Sequence, residues 1–445
     1  MSVRLAQCSV GLAVVDGFRS YEALYTISGA QYVMLQALLV GPALLPMLRA
    51  RPLGLRLRVP LPTLLFVTWW VLSYWWSSSP WAVPSASYRD LTTLSLVLLF
   101  AQLLAPREFF RTIILGGYVA IALVGYAVLT QPGLAYPRGG SVPGLVGGFI
   151  HKNFLAPAVI VTCAAVLSFE VRPIVRRSVV TLVAVLVVLA ETSTGLFAFV
   201  AVLVASWALS NWHRMSQAMG RARGFLGMFI AVGAIALGRR LSGLAAEVVG
   251  KDATFSSRTE IWDRVSRLVE RRPWTGYGYS AFYNAFVEPA RSVNTKLGFF
   301  VTSAHNGALE LLFRLGVVGL VLWCCQFAYT FWRGAVLWQT GDPRGRFTLL
   351  FCTVVLAFGF SESHLVLGFY FALLSVLSLP VTTGSAGDLT DLGWSQIDSR
   401  SVSDDEGARG GRLRSAPARF PRGRVTTAPG APRIAPPERT VGRRR

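Results

Sequence analysis

Three of the chain's four histidines stand within two positions of carboxylate, amide or amine side chains where polar segments meet apolar runs. His305 and Asn306 lie in "TSAHNGALE", directly before "LLFRLGVVGLVLWCC". His151, Lys152 and Asn153 close the glycine-rich stretch "GGSVPGLVGGFIHKN", and Glu362 and His364 lie in "FSESHL". An imidazole with an ordinary pKa of about 6.5 can take a proton from a hydroxyl at neutral pH. An asparagine can orient a neighbouring group or donate to an oxygen. A histidine at a helix start can equally be structural, and the residues alone leave both readings open. Glu310 and Arg314 are one helical turn apart and can simply pair. Charges inside a span are costly, however, which makes both candidates for function.

A second set of polar residues precedes His305. "SSRTEIWDRVSRLVERRPWTGYG" is predicted to form one helix, with Ser257 and Glu260 as a capping box. Ile261, Val265, Leu268 and Val269 form its apolar face, and Pro273 and Gly276 end it. Arg258 falls in the first turn, where the helix dipole disfavours a cation. A helix N-terminus with a guanidinium suits an anion such as phosphate; the competing reading pairs Arg258 with Glu260 or a loop carboxylate. Trp262 and the aromatic stretch Tyr277, Tyr279, Phe282 and Tyr283 can stack on sugar faces or form an interfacial belt, and the belt is the expected use.

These residues need a scaffold, and composition says which kind. Of 445 residues 53% are hydrophobic and only 15% charged, well below the roughly one-quarter charge of soluble domains. Apolar runs of bilayer-crossing length recur, so the expected class is all-α: a polytopic membrane protein. Spans are expected at 4–15, 27–48, 61–78, 89–105, 110–130, 153–170, 178–190, 196–210, 224–238, 308–332, 347–361 and 365–382, about twelve transmembrane helices. The first is weak and reads as an uncleaved span rather than a signal peptide.

The formal charge of +21 comes as arginine clusters between apolar runs, which argues against a nucleic-acid partner. "RARPLGLRLR", "PREFFR", "VRPIVRRS", "NWHRMSQAMGRARG" and "WRGAVLWQTGDPRGR" follow the even-numbered spans. The positive-inside rule puts these loops, and both termini, in the cytoplasm. Residues 239–305 then form a long external loop, which is exempt from the rule by its length. One transmembrane domain over 1–382 is expected, followed by a disordered Arg/Pro/Gly-rich cytoplasmic tail over 383–445. That tail can touch anionic membrane lipids. The five cysteines lie in or beside apolar runs without a CxxC, which argues against disulfides or a metal site.

In their order and sidedness these strings resemble the O-antigen ligase and polymerase superfamily. The resemblance rests on "GGFIHKN", on Arg258 to Trp262, on "PWTGYG" and on "AHNGALELLFRLGVVG", and covers roughly residues 20–382. It implies transfer of a glycan from an undecaprenyl-pyrophosphate carrier to a glycan, lipid or protein acceptor, at the outer face of the cytoplasmic (inner) membrane, with no metal or other cofactor. It further implies Arg258 as a cation on the leaving pyrophosphate and His305 as the base in an inverting displacement. Asn306 and Glu310 would hold the histidine or acceptor in place. Trp262, His151, Lys152, Asn153 and Arg314 complete the expected substrate-binding set. One position departs: in the hairpin "ETSTG" the family's arginine is Thr194. That leaves Lys152, Arg239 or Arg240 to stand in, or implies a different donor or a weaker enzyme.

Ligase, polymerase and protein O-glycosyl ligase share these motifs, with a ligase-type enzyme the favoured reading. A transporter or lipid flippase would place charges near mid-membrane in two interrupted halves. Here the polar residues gather at one face. A non-catalytic scaffold is the third reading, through Thr194.

Overall fold

The computed structural model describes residues 58–379, apart from 105, 137–143, 150, 170, 220–255, 283–286, 298–300 and 364–365. Among the described residues the protein is all-helical, without a β-strand. The helices are α1 (Leu61–Leu72), α2 (Ala82–Leu103), α3 (Pro106–Thr130), α4 (Pro132–Ala135), α5 (Lys152–Ser168) and α6 (Pro173–Leu189). They continue as α7 (Ser193–Met219), α8 (Ser256–Arg271), α9 (Ala290–Leu297), α10 (Gly307–Gln339), α11 (Pro343–Gly359) and α12 (Gly368–Leu377).

Glu108–Thr130, Ser193–Trp212 and Gly307–Gln339 are long and apolar enough to cross a membrane. Leu61–Trp75, Asp90–Gln102, Lys152–Ser168 and Gly368–Leu377 are apolar but shorter. The expected spans between 61 and 210 and between 308 and 379 overlap described helices, of which three, among the described residues, have the length and composition of a crossing. Those at 4–15, 27–48 and 224–238, and the tail, lie outside the described residues. α2 starts at Ala82, earlier than the expected 89.

α5 and α11 are the inner helices, buried along most of their length. α5 packs against α3, α6, α7 and α11, and α11 against α7 and α10. Small residues let the backbones approach, as packing between apolar helices requires. A Cβ on Gly117 of α3 would lie 2.0 Å from the Thr162 hydroxyl of α5. α1, α10 and α12 are tied by buried Gln326, which accepts from Thr63 (2.8 Å) and donates to Thr330 (3.0 Å) and Ser378 (3.1 Å). In an apolar interior such a group needs all its partners.

α10 breaks at Gly316, whose φ of 68° and ψ of −170° are not helical. The break orphans the carbonyls of Phe313, Arg314 and Leu315 and the N–H groups that follow. The loop after α8 takes these up. Tyr277 N–H donates to Phe313 O (2.9 Å) and Gly278 N–H to Arg314 O (2.8 Å), while Val317 N–H donates to Pro273 O (2.7 Å). The Trp69 indole N–H covers Leu315 O at 3.0 Å. "PWTGYG" is therefore a splint for a broken helix. Gly276, at φ 64°, is required there, because a Cβ would meet Phe313 O and the Arg314 carbonyl at 2.7–2.8 Å.

The turn after α1 closes the other side of the splint. Ser78 N–H donates to Tyr277 O (3.1 Å), and Ser77 and Ser280 hydroxyls bond at 3.0 Å. This packing corrects the expected aromatic belt. Tyr277, Tyr279 and Phe282 are core residues, and Tyr279, 1% exposed, stacks on Trp70 with centroids 4.1 Å apart. Tyr283 lies outside the described residues.

Candidate functional site

α8 is amphipathic as its spacing requires: Ile261 and Val265 are buried, and Leu268 and Val269 pack beside them against Phe313 of α10. The helix starts at Ser256, so Ser257 falls inside its first turn rather than at the expected cap. Arg258 also lies in that first turn, and its partner is not Glu260. Its guanidinium donates to Glu362 Oε1 at 2.8 Å and to Ser361 O at 2.5 Å. Glu362 follows α11, and its side chain is 4% exposed.

The same carboxylate gathers residues from two further elements. Asn153, in the first turn of α5, donates to Glu362 Oε1 at 2.6 Å. His305 Nδ1 faces Glu362 Oε2 at 3.5 Å, with 37% of the His305 side chain exposed. Arg258 and His305, 47 positions apart (305 minus 258), thus meet two oxygens of one buried anion.

His151 caps α5, its Nδ1 accepting from Asn153 N–H at 3.1 Å. Burial lowers the His151 pKa from its usual value, reinforced by Lys152, His305 and Arg258 and opposed by Glu362. Buried Lys152 donates to Glu191 O at 3.1 Å. Thr194 bonds the Ser361 hydroxyl at 2.6 Å, so the residue at the departing position borders the same cluster. Arg239, Arg240 and His364 lie outside the described residues. Among those described, the two non-glycine residues with positive φ are Glu191 (49°) and His305 (48°), both at this cluster. Such strain concentrates at functional sites.

The other expected residues shape the His305 turn. Asn306 caps α10, accepting from Leu309 N–H at 3.0 Å and donating to Phe360 O at 3.1 Å. Its own N–H donates to Ser363 Oγ at 3.1 Å. Glu310, 1% exposed, accepts from Ala304 N–H (2.6 Å) and from Arg314 Nε (2.5 Å). Arg314 also donates to Tyr279 O at 2.8 Å, and the Tyr279 hydroxyl donates to Asp90. Glu310 and Arg314 are therefore an internal pair that fixes the backbone before His305. Trp262 does the same from α8, its indole N–H donating to Ala304 O at 2.9 Å.

Sequence reasoning placed Glu362 in a polar constellation but not in the site. Its signal was a carboxylate stranded between two apolar runs.

These features define a class: a helical membrane protein with a cation, a histidine and a buried carboxylate converging at one end of its helices. Residues 178–324 match the model of the family described as O-antigen ligase. That range holds Arg258, Trp262, His305, Asn306, Glu310 and Arg314; His151, Lys152, Asn153 and Glu362 lie outside it. A stretch of 76 residues is 36% identical to the "O-antigen ligase" of Pseudomonas aeruginosa, and covers 17% of each chain. Over these parts the chain is similar to O-antigen ligases, and it spans about a sixth of the length of the relative it matches.

Proposed function

We propose that the protein is a multi-pass glycosyltransferase of the ligase type. It moves a glycan from an undecaprenyl-pyrophosphate carrier to a glycan, lipid or protein acceptor at the outer face of the cytoplasmic membrane. About twelve helices within 1–382 form the enzyme, with the 239–305 loop outside, both termini inside and the 383–445 tail in the cytoplasm. The observation that carries this reading is the shared contact of Arg258 and His305 with Glu362.

Glu362 favours the His305 tautomer with its proton on Nδ1, which leaves the Nε2 lone pair for an acceptor hydroxyl. The hydroxyl oxygen attacks the anomeric carbon as His305 takes its proton. The bond from that carbon to the pyrophosphate oxygen breaks, inverting the centre. Charge then grows on the pyrophosphate, and fixed cations stabilise it best. A guanidinium has five donors; the contacts described for Arg258 use one on Ser361 and one on Glu362, and its side chain is 22% exposed. Lys152, which reaches that hairpin from α5 by donating to Glu191 O, supplies a second cation in place of the family's arginine. With these cations the reaction needs no metal. Asn306, Glu310, Arg314 and Trp262 act as positioning residues.

The test is glycan transfer by purified protein from an undecaprenyl-pyrophosphate-linked oligosaccharide. His305→Asn, a residue that tolerates positive φ, is expected to lower the rate about 10²–10⁴-fold. Transfer at the wild-type rate would remove the base assignment. A single added band marks a ligase; a ladder would instead mark a repeat-unit polymerase.

A further inference from the structure

The helices carry a second charged cluster at the end away from Glu362. Arg346 lies in the first turn of α11, and 13 residues separate it from Gly359 (359 minus 346), about 20 Å along a helix. Its guanidinium donates to Ser206 Oγ and Ser210 Oγ of α7, each at 2.8 Å, and to Ser206 O at 3.2 Å. Buried Arg346 Nε has no hydrogen-bond partner. Exposed Arg176, in the first turn of α6, acts on Arg346 through space.

Two like charges, each beside the positive end of a helix dipole, are unfavourable without an anion. Among the described residues no carboxylate pairs with either. The nearest in sequence, Asp342, already caps α11 and binds Arg344 at 2.8–2.9 Å. α7 exposes Trp207, 61% accessible, at the same level as these serines. Tryptophan at such a level marks the headgroup region of a bilayer.

We propose that Arg346, Arg176, Ser206 and Ser210 form a binding site for the phosphodiester of an anionic membrane lipid, in the leaflet opposite the Glu362 cluster. The guanidiniums pair with phosphate oxygens, the serines hold Arg346 in place, and the acyl chains lie along the apolar faces of α6 and α7. Basic pockets between membrane helices bind anionic headgroups in this way.

The test uses full-length protein in detergent, incubated with phosphatidylglycerol or phosphatidylcholine, with retained lipid counted by native mass spectrometry. Wild-type protein is expected to retain phosphatidylglycerol preferentially. Arg176→Gln and Arg346→Gln should each weaken retention about fivefold. Arg346 also links α11 to α7, so exposed Arg176 keeps the test valid if its variant misfolds. Equal retention of both lipids, or no loss in the Arg176 variant, overturns the proposal. Displacement of the lipid by millimolar inorganic phosphate overturns the lipid assignment in favour of a free-anion site; persistence of bound lipid supports it.

Discussion

Replacing Gly316 by alanine puts a methyl group where the splint already is. A Cβ there would lie 2.2 Å from Trp274 O, 2.3 Å from Trp274 C and 2.5 Å from Thr275 N. All three are backbone atoms, so no side chain can swing aside. The backbone angles of Gly316 add strain of about 1–3 kcal/mol for a residue with a Cβ. Moving the splint away removes the bonds from Val317 N–H to Pro273 O and from Val318 N–H to Trp274 O. Two backbone N–H groups left unpaired in these half-buried residues cost up to about 1–3 kcal/mol each. The sum is about 3–9 kcal/mol, a large share of the 5–15 kcal/mol typical of a folded protein. Reversible unfolding in mixed detergent, followed by tryptophan fluorescence, measures it. The control is Gly125→Ala on α3, where a Cβ meets nothing within 4 Å, and which should be neutral to about 1 kcal/mol stabilising. A Gly316→Ala loss below about 1 kcal/mol would refute the splint.

Glu362→Gln removes the anion that Arg258 and His305 share, and breaking such a buried pair costs about 3–5 kcal/mol. A drop in melting temperature together with a loss of transfer is expected, against Glu260→Gln, which should change neither. The lowered pKa of His151 makes the unfolded chain bind the extra proton first, so stability falls as pH drops below its usual 6.5. His151→Asn keeps a capping oxygen without a titratable ring, and should flatten the melting temperature against pH in that window. Asp263→Cys, on the exposed face of α8 in a cysteine-free background, should react with an impermeant maleimide added outside intact cells. Labelling that requires permeabilised cells would reverse the orientation.

Apolar runs mark where most described helices lie, because burial along a bundle leaves a plain compositional trace. The α8 face was legible for the same reason: Ile261 and Val265 recur at helical spacing and both are buried. The ends were less so. Ser257 looked like a cap, yet the helix begins one residue earlier. The place of Tyr279 is not legible in the sequence, because ring chemistry does not distinguish a headgroup belt from a core position stacked on Trp70. Within the site, Arg258, His305 and Asn153 were found from local patterns. Glu362 could not be assigned that way: it meets Arg258 across 104 positions and Asn153 across 209. Such contacts are made by packing, and no local spacing encodes them. Glu310 and Arg314, one helical turn apart in the sequence, form the pair that this spacing allows.

The proposed reaction requires Arg258 to hold the pyrophosphate of the carrier. Its most direct test is the dissociation constant for undecaprenyl pyrophosphate, measured on wild-type protein and on Arg258→Gln in nanodiscs, with undecaprenol as the phosphate-free control. Loss of a charge-assisted bond of about 1.5–3 kcal/mol predicts binding about 10–150-fold weaker, with undecaprenol unaffected. Equal affinity of the two proteins for undecaprenyl pyrophosphate would contradict it.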